Sequence, residues 1–171
     1  MDMTRSVWRK IATTVAVLVT ATAIGATAAA APAAAAVYPH QIIHASSHLC
    51  LEVPSGSTSP NVQLWLNVCT GARNQRFDFV DAGLNWRYFI QPAGTGLCLT
   101  PGVAALDNST IVQWYCDWSS PQVWLLAAAS SDNILVDVYS GMCLGVDFAF
   151  PGAFVRQGAS CKGTQKRWVI A

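Results

Sequence analysis

Leu49-Cys50-Leu51-Glu52-Val53, Leu97-Cys98-Leu99-Thr100-Pro101 and Met142-Cys143-Leu144-Gly145-Val146 are three versions of one phrase, 48 and 45 residues apart. The markers around them keep nearly the same period. An apolar residue stands eight positions before each cysteine: Ile42, Ile90 and Leu135. A second cysteine follows 19, 18 and 18 positions later, at Cys69, Cys116 and Cys161. An aromatic comes next, at Phe77, Trp124 and Trp168, preceded two residues earlier by Gln75, Gln122 and Lys166. Between the cysteines of each copy lie Asn61-Val62-Gln63-Leu64-Trp65, Thr110-Ile111-Val112-Gln113-Trp114-Tyr115 and Ala153-Phe154-Val155-Arg156-Gln157. Several markers holding one period across three copies define an internal repeat.

Each copy consists of short alternating apolar stretches divided by Gly, Ser, Pro or Asn. In the first copy, 41–45, 50–53, 62–66 and 76–80 read as strands. No window of helical length carries an apolar stripe. A single unit cannot bury its own apolar face, so the three must share one core. Three units of four strands around a pseudo-threefold axis give an all-β fold of about twelve short strands. Closure removes exposed sheet edges. The repeats fall at about 38–83, 84–130 and 131–171.

The first 36 residues stand apart. Arg5, Arg9 and Lys10 precede an uncharged run over 11–36, in which 13 of 26 residues are alanine and which ends in Ala34-Ala35-Ala36. A basic segment, an apolar segment and a small-residue site read as a cleaved signal peptide over 1–36. An uncleaved anchor is the alternative, weakened by the low hydrophobicity and by Pro32. Arg9-Lys10 narrowly misses a twin-arginine signal, and no cysteine is present there to carry a lipid. The remaining chain, 37–171, is one domain with seven Lys+Arg and eight Asp+Glu. Its near-neutral charge gives no electrostatic reason to bind nucleic acid or an anionic membrane. The expected product is secreted, extracellular and monomeric, with no membrane insertion after cleavage.

All six cysteines lie behind the signal segment, and an even count in an exported chain reads as a disulfide set. Spacing alone leaves 15 connectivities open. The separations are too wide for the usual zinc-ligand pairs. His40, His44 and His48 are spaced by four, but they sit on a strand and turn rather than a helix. They read as ordinary surface or turn histidines. No metal and no cofactor is expected.

The Cys-Leu-x-Val, Val-Gln-x-x and Gln-x-Trp signatures, in three variant copies, resemble the ricin B-type β-trefoil lectin domain, also called carbohydrate-binding module family 13. The similarity is to its secreted, single-domain bacterial form and covers the chain from about Tyr38 to Ala171. It implies a β-trefoil with one disulfide inside each repeat: Cys50–Cys69, Cys98–Cys116 and Cys143–Cys161. It also implies a carbohydrate partner. In this family a carboxylate stands two residues after the first cysteine. An aromatic lies just before the second, and an Asn often precedes the Gln of Gln-x-Trp.

A sugar ring offers hydroxyls on its rim and an apolar C–H face. A shallow site therefore needs an aromatic plate beside carboxylate or amide groups. The first repeat matches the family best, with Glu52 in the carboxylate place, Gln63 and Trp65 before Cys69, and Asn74 before Gln75. Trp65 has two extra residues between itself and Cys69. As an exposed plate, it is expected to cost within about 1 kcal/mol of stability on truncation. In the second repeat Thr100 replaces the carboxylate and Pro121 the Asn, leaving Tyr115 and Trp118 as aromatics. In the third, Gly145 and Gly158 stand where the acid and the aromatic should be, and Asp147 is the nearest acid. Gln75, Gln122, Phe77, Trp124 and Trp168 read as structural, Gln75 with a share in the site.

Catalysis has no support in the residues. No serine lies in a Gly-x-Ser-x-Gly elbow, and the acids form no recognisable glycosidase pair. The expected function is sugar binding without catalysis, best in the first repeat. The alternative is a trefoil with degenerate sugar sites that binds a protein, as an inhibitor or toxin subunit.

Overall fold

The computed structural model describes residues 39–171 apart from Leu84. The signal segment expected over 1–36 lies outside the described residues. Thirteen strands make up the fold among the described residues. The first repeat contributes β1 (Ile42–His44), β2 (Cys50–Glu52), β3 (Val62–Gln63), β4 (Trp65–Asn67) and β5 (Phe77–Asp81). The second contributes β6 (Arg87–Pro92), β7 (Leu97–Pro101), β8 (Ile111–Tyr115) and β9 (Val123–Ala129). The third contributes β10 (Asp132–Asp137), β11 (Cys143–Gly145), β12 (Arg156–Gly158) and β13 (Trp168–Ile170). Helical structure among the described residues is limited to four 3₁₀ turns: Pro54–Gly56, Arg73–Gln75, Ser120–Gln122 and Thr164–Lys166. None is long and apolar enough to cross a membrane.

Six strands form a closed ring in the order β1-β13-β10-β9-β6-β5. The ends of the domain meet in it, with Ile42 opposite Ile170 and His44 opposite Trp168. Reciprocal hydrogen bonds of 2.8 Å between His40 and Phe77 complete the circle. The hairpins β2–β4, β7–β8 and β11–β12 cap one end. The caps are joined at their centre by three backbone hydrogen bonds in a triangle. Leu64 N donates to Ile111 O (2.9 Å), Ile111 N to Val155 O (2.9 Å), and Val155 N to Leu64 O (3.0 Å). These bonds satisfy backbone groups that would otherwise be stranded in the core.

That triangle explains why there are thirteen strands rather than twelve. The apolar run 62–66 reads as one strand, but Leu64 is drawn into the threefold junction. Val62 and Gln63 then pair with β8, while Trp65–Asn67 pairs with β2. The core is built in matching triplets, all fully buried: Ile42/Ile90/Leu135, Leu51/Leu99/Leu144, Leu64/Ile111/Val155 and Phe77/Trp124/Trp168. Burying each such side chain contributes roughly 1.5–3 kcal/mol. Trp124 Nε1 donates to Leu99 O (3.1 Å) and Trp168 Nε1 to Leu144 O (3.0 Å), so the indoles fill the core without stranding a donor.

The disulfides join Cys50–Cys69, Cys98–Cys116 and Cys143–Cys161, with Cα separations of 5.0, 5.1 and 5.3 Å. Each closes a loop of about 18 residues, worth about 3 kcal/mol in the loop-entropy account. The histidine expectation needs correcting at one position. His44 is fully buried, its Nδ1 shares a hydrogen bond with Ser47 Oγ (2.8 Å), and its ring meets Trp168 edge to face. No metal-ligating cluster of His, Cys, Asp or Glu occurs among the described residues.

Candidate functional site

Antiparallel register places Glu52 opposite Trp65, Leu51 opposite Leu66 and Cys50 opposite Asn67. Side chains directly opposite one another share a sheet face, so Glu52, Trp65 and Asn67 converge. Trp65 Nε1 donates to Glu52 Oε1 (3.0 Å), Asn67 Nδ2 donates to the same oxygen (3.1 Å), and Gln75 Nε2 donates to Oε2 (2.6 Å). Glu52 is only 7% exposed. A carboxylate has about four acceptor positions, of which three are filled here.

Gln75 also braces the turn that follows β4. Its Oε1 accepts from Thr70 N (2.7 Å) and Gly71 N (3.3 Å), and its Nε2 donates to Val68 O (2.8 Å). Gln122 repeats the pattern, accepting from Asp117 N (3.0 Å) and Trp118 N (3.2 Å) and donating to Tyr115 O (2.8 Å) and Thr100 Oγ1 (3.1 Å). Thr100 thus takes the role of Glu52 at the second repeat, with one acceptor in place of a carboxylate.

The third repeat closes by a different device. Lys166 cannot accept a hydrogen bond, and its side chain fills the space that side chains at 145 and 158 would occupy. A Cβ at Gly145 would collide with the Lys166 methylenes, and one at Gly158 would lie 2.9 Å from its Nζ. Burial holds the Lys166 ammonium below the usual lysine range, while Asp147 and Asp107 oppose the shift. Glycine at both positions is therefore the complement of the lysine.

The other expected site residues are dispersed. Gln63 lies on β3 facing β8, with its Nε2 buried and unpartnered. Asn74 donates to Val53 O (3.0 Å) and lines a separate cleft. Tyr115 is exposed and meets Trp114 edge to face. Asp147 is exposed, lies 3.9 Å from the Arg156 guanidinium, and borders a shallow depression with Asp107, Asn108 and Lys166.

The central triangle also resets the alignment of the repeats. With Leu64, Ile111 and Val155 equivalent, Trp65 corresponds to Val112 and Arg156, and Asn67 to Trp114 and Gly158. The matching pairs Gln63–Val112, Thr110–Arg156 and Phe154–Trp65 agree. Trp65 thus sits one step deeper along its hairpin than an aromatic just before the second cysteine. Trp114, 41% exposed and opposite Cys98, holds that position in the second repeat. Its place two residues before Cys116 was the available signal, and Tyr115 stood closer to the cysteine. Phe148, Phe150 and Phe154 are exposed on the loop between β11 and β12 rather than packed into the core, and they border a shallow depression with Asp147 and Arg156.

Several proteins share this architecture. A designed threefold-symmetric protein, ThreeFoil, superposes with a TM-score of 0.74 at 23% identity, covering 77% of this chain and 96% of its own. The exo-β-1,3-galactanase of Clostridium thermocellum gives 0.74 at 17% identity, covering 78% of this chain but 30% of the enzyme. The Macrolepiota procera ricin B-like lectin, solved with lactose, gives 0.67 at 14% identity, covering 81% and 97%. At these identities the likeness speaks to the fold. A comparison with curated protein sequences finds no match. The sequence profile of the ricin-type beta-trefoil lectin domain matches residues 38–169, essentially the whole described domain. The chain belongs to the ricin-type beta-trefoil lectin domain family.

Proposed function

We propose that this protein is an exported, extracellular, monomeric carbohydrate-binding module without catalytic activity, and that its principal sugar site lies in the first repeat. The observation carrying this reading is the convergence of Glu52, Trp65, Asn67 and Gln75 on one sheet face. The remaining acceptor position of Glu52 takes a sugar hydroxyl. The amide of Asn67 supplies polar contact at the rim, and the half-buried Trp65 ring offers an apolar edge to the sugar's C–H face. With one carboxylate acceptor left, binding is weak, in the millimolar to micromolar range, or about 4–8 kcal/mol. The second and third repeats contribute little, because Thr100 and Gly145 replace the acid. Neither nucleic acid nor a membrane is a partner of this near-neutral domain.

The test is binding of the secreted protein to a broad glycan array and to insoluble polysaccharides, with Glu52→Ala alongside. Binding lost in the variant supports the site, and binding retained moves it to another repeat. A second reading, docking of a protein partner, is favoured by Phe148, Phe150 and Phe154 standing exposed on one loop. Absence of glycan binding by folded, disulfide-intact protein supports that reading instead.

A further inference from the structure

Between the first and second repeats the surface opens into a cleft of 340 Å³. Glu52, Trp65 and Gln75 are not part of it. Its walls are the loop after β2, the Arg73–Gln75 turn and the turn between β6 and β7. The polar side chains that matter are the hydroxyls of Ser55, Ser57 and Thr58, the amide of Asn74 and the guanidinium of Arg73. No carboxylate and no aromatic ring lines the cleft.

Arg73 is its single charge. The ion pairs among the described residues are Arg156–Asp147 and Arg167–Asp132, so Arg73 has no carboxylate partner there. The backbone is shaped around it. Gly94 has φ +74°, and a Cβ built on it would lie 2.7 Å from Arg73 Nε, with Cζ and Nη2 closer still. Glycine takes that conformation without strain and leaves room for that approach. On the facing wall Ser55, at φ 54°, precedes Gly56, at φ 64°. Ser55, a side-chain-bearing residue held in the left-handed region, thus lines the cleft.

We infer that this cleft binds an anionic group on a glycan, the carboxylate of a uronic acid or a sulfate ester. A planar guanidinium matches either oxyanion in a bidentate fork, and flanking hydroxyls can donate to the remaining oxygen atoms. Without an aromatic plate the cleft cannot stack a neutral sugar face, so what it reads is charge. Asn74, at its edge, donates to Val53 O, and Val53 directly follows Glu52. The cleft is therefore adjacent in sequence and fold to the first-repeat site, and an acidic residue can be held beside the sugar bound there. The inference rests on the carbohydrate-binding reading above.

The experiment compares wild type with Arg73→Gln on two matched pairs of polysaccharides: polygalacturonate against its methyl ester, and dextran sulfate against dextran. Titrations at about 50 mM and about 500 mM salt report the electrostatic share. The expected result is at least about fivefold tighter binding to one acidic member, reduced by salt and absent in Arg73→Gln. Binding to the neutral members is unchanged by the substitution. The pair showing the difference identifies carboxylate or sulfate. Equal binding of acidic and neutral members, or a preference that survives Arg73→Gln, overturns the inference and leaves the carbohydrate reading standing. No binding to any glycan overturns both.

Discussion

Glu52 and Trp65 face each other across β2 and β4, and the indole Nε1 donates to the carboxylate at 3.0 Å. The aromatic of the first repeat is thereby tied to the acid beside it. Its truncation removes a half-buried ring and a charge-assisted hydrogen bond together. Trp65→Ala is expected to cost about 1–3 kcal/mol, more than the small value suited to an exposed plate. Urea denaturation with the disulfides intact measures it, and a change below about 0.5 kcal/mol would mean that the bond adds nothing.

Trp124 is fully buried and donates to Leu99 O at 3.1 Å. Trp124→Ala should cost about 3–5 kcal/mol through lost packing and a cavity. Trp124→Phe keeps much of the volume but leaves the Leu99 carbonyl unpaired, at about 1–3 kcal/mol. Thermal denaturation of both variants should rank them in that order.

In the third repeat Lys166 lies over Gly145 and Gly158. A Cβ at Gly158 would meet only the flexible end of the lysine, whereas one at Gly145 would also lie 2.7 Å from the Gln165 backbone oxygen. Gly145→Ala should therefore destabilise by about 1–3 kcal/mol and Gly158→Ala by less. Adding Lys166→Ala should recover part of the Gly145→Ala loss, a coupling measured in a double-mutant cycle. Full additivity would show that the lysine does not occupy that space.

His44 is buried without a partner for Nε2, and burial holds its pKa below 6.5, backbone groups of Thr164 and Gln165 offsetting only part of the shift. As pH falls through 6.5, the unfolded chain takes up a proton that the folded ring refuses, so stability drops. Asp137 acts in the opposite sense. Burial raises its carboxyl, so the folded state holds the proton longer, and stability falls as pH rises above the ordinary carboxylate value of 3.8. The readout is therefore a difference: melting temperature between about pH 7.5 and pH 5.5 should fall more for wild type than for His44→Gln. Parallel slopes would remove His44 from the account.

The repeat made the fold legible. Ile42, Ile90 and Leu135, the six cysteines, and the aromatics Phe77, Trp124 and Trp168 hold their spacing because each fills an equivalent place in one core. Gln75 and Gln122 were legible as turn braces for the same reason. The hairpin that carries the first-repeat aromatic was not. Cys69 and Cys116 each lie five residues past the junction residues Leu64 and Ile111, so the Gln63–Trp65 motif is out of register with its counterpart: Leu66, not Gln63, matches Gln113 and Gln157, and Asn67, not Trp65, matches Trp114. The hydrogen-bonded triangle of Leu64, Ile111 and Val155 and the pairing of Asn67, Trp114 and Gly158 opposite the first cysteines reveal that offset. The burial of Glu52 and the packing of Lys166 over two glycines depend on contacts between segments far apart in the chain. The cleft at Arg73 likewise joins two repeats, and no local pattern announces it.

The most direct measurement is the affinity of wild type, Glu52→Gln and Trp65→Phe for the best glycan ligand, by calorimetry on folded protein. The first-repeat account predicts at least about tenfold weaker binding in Glu52→Gln and a clear loss in Trp65→Phe, with the fold retained in both. Unchanged affinity in both variants would contradict it.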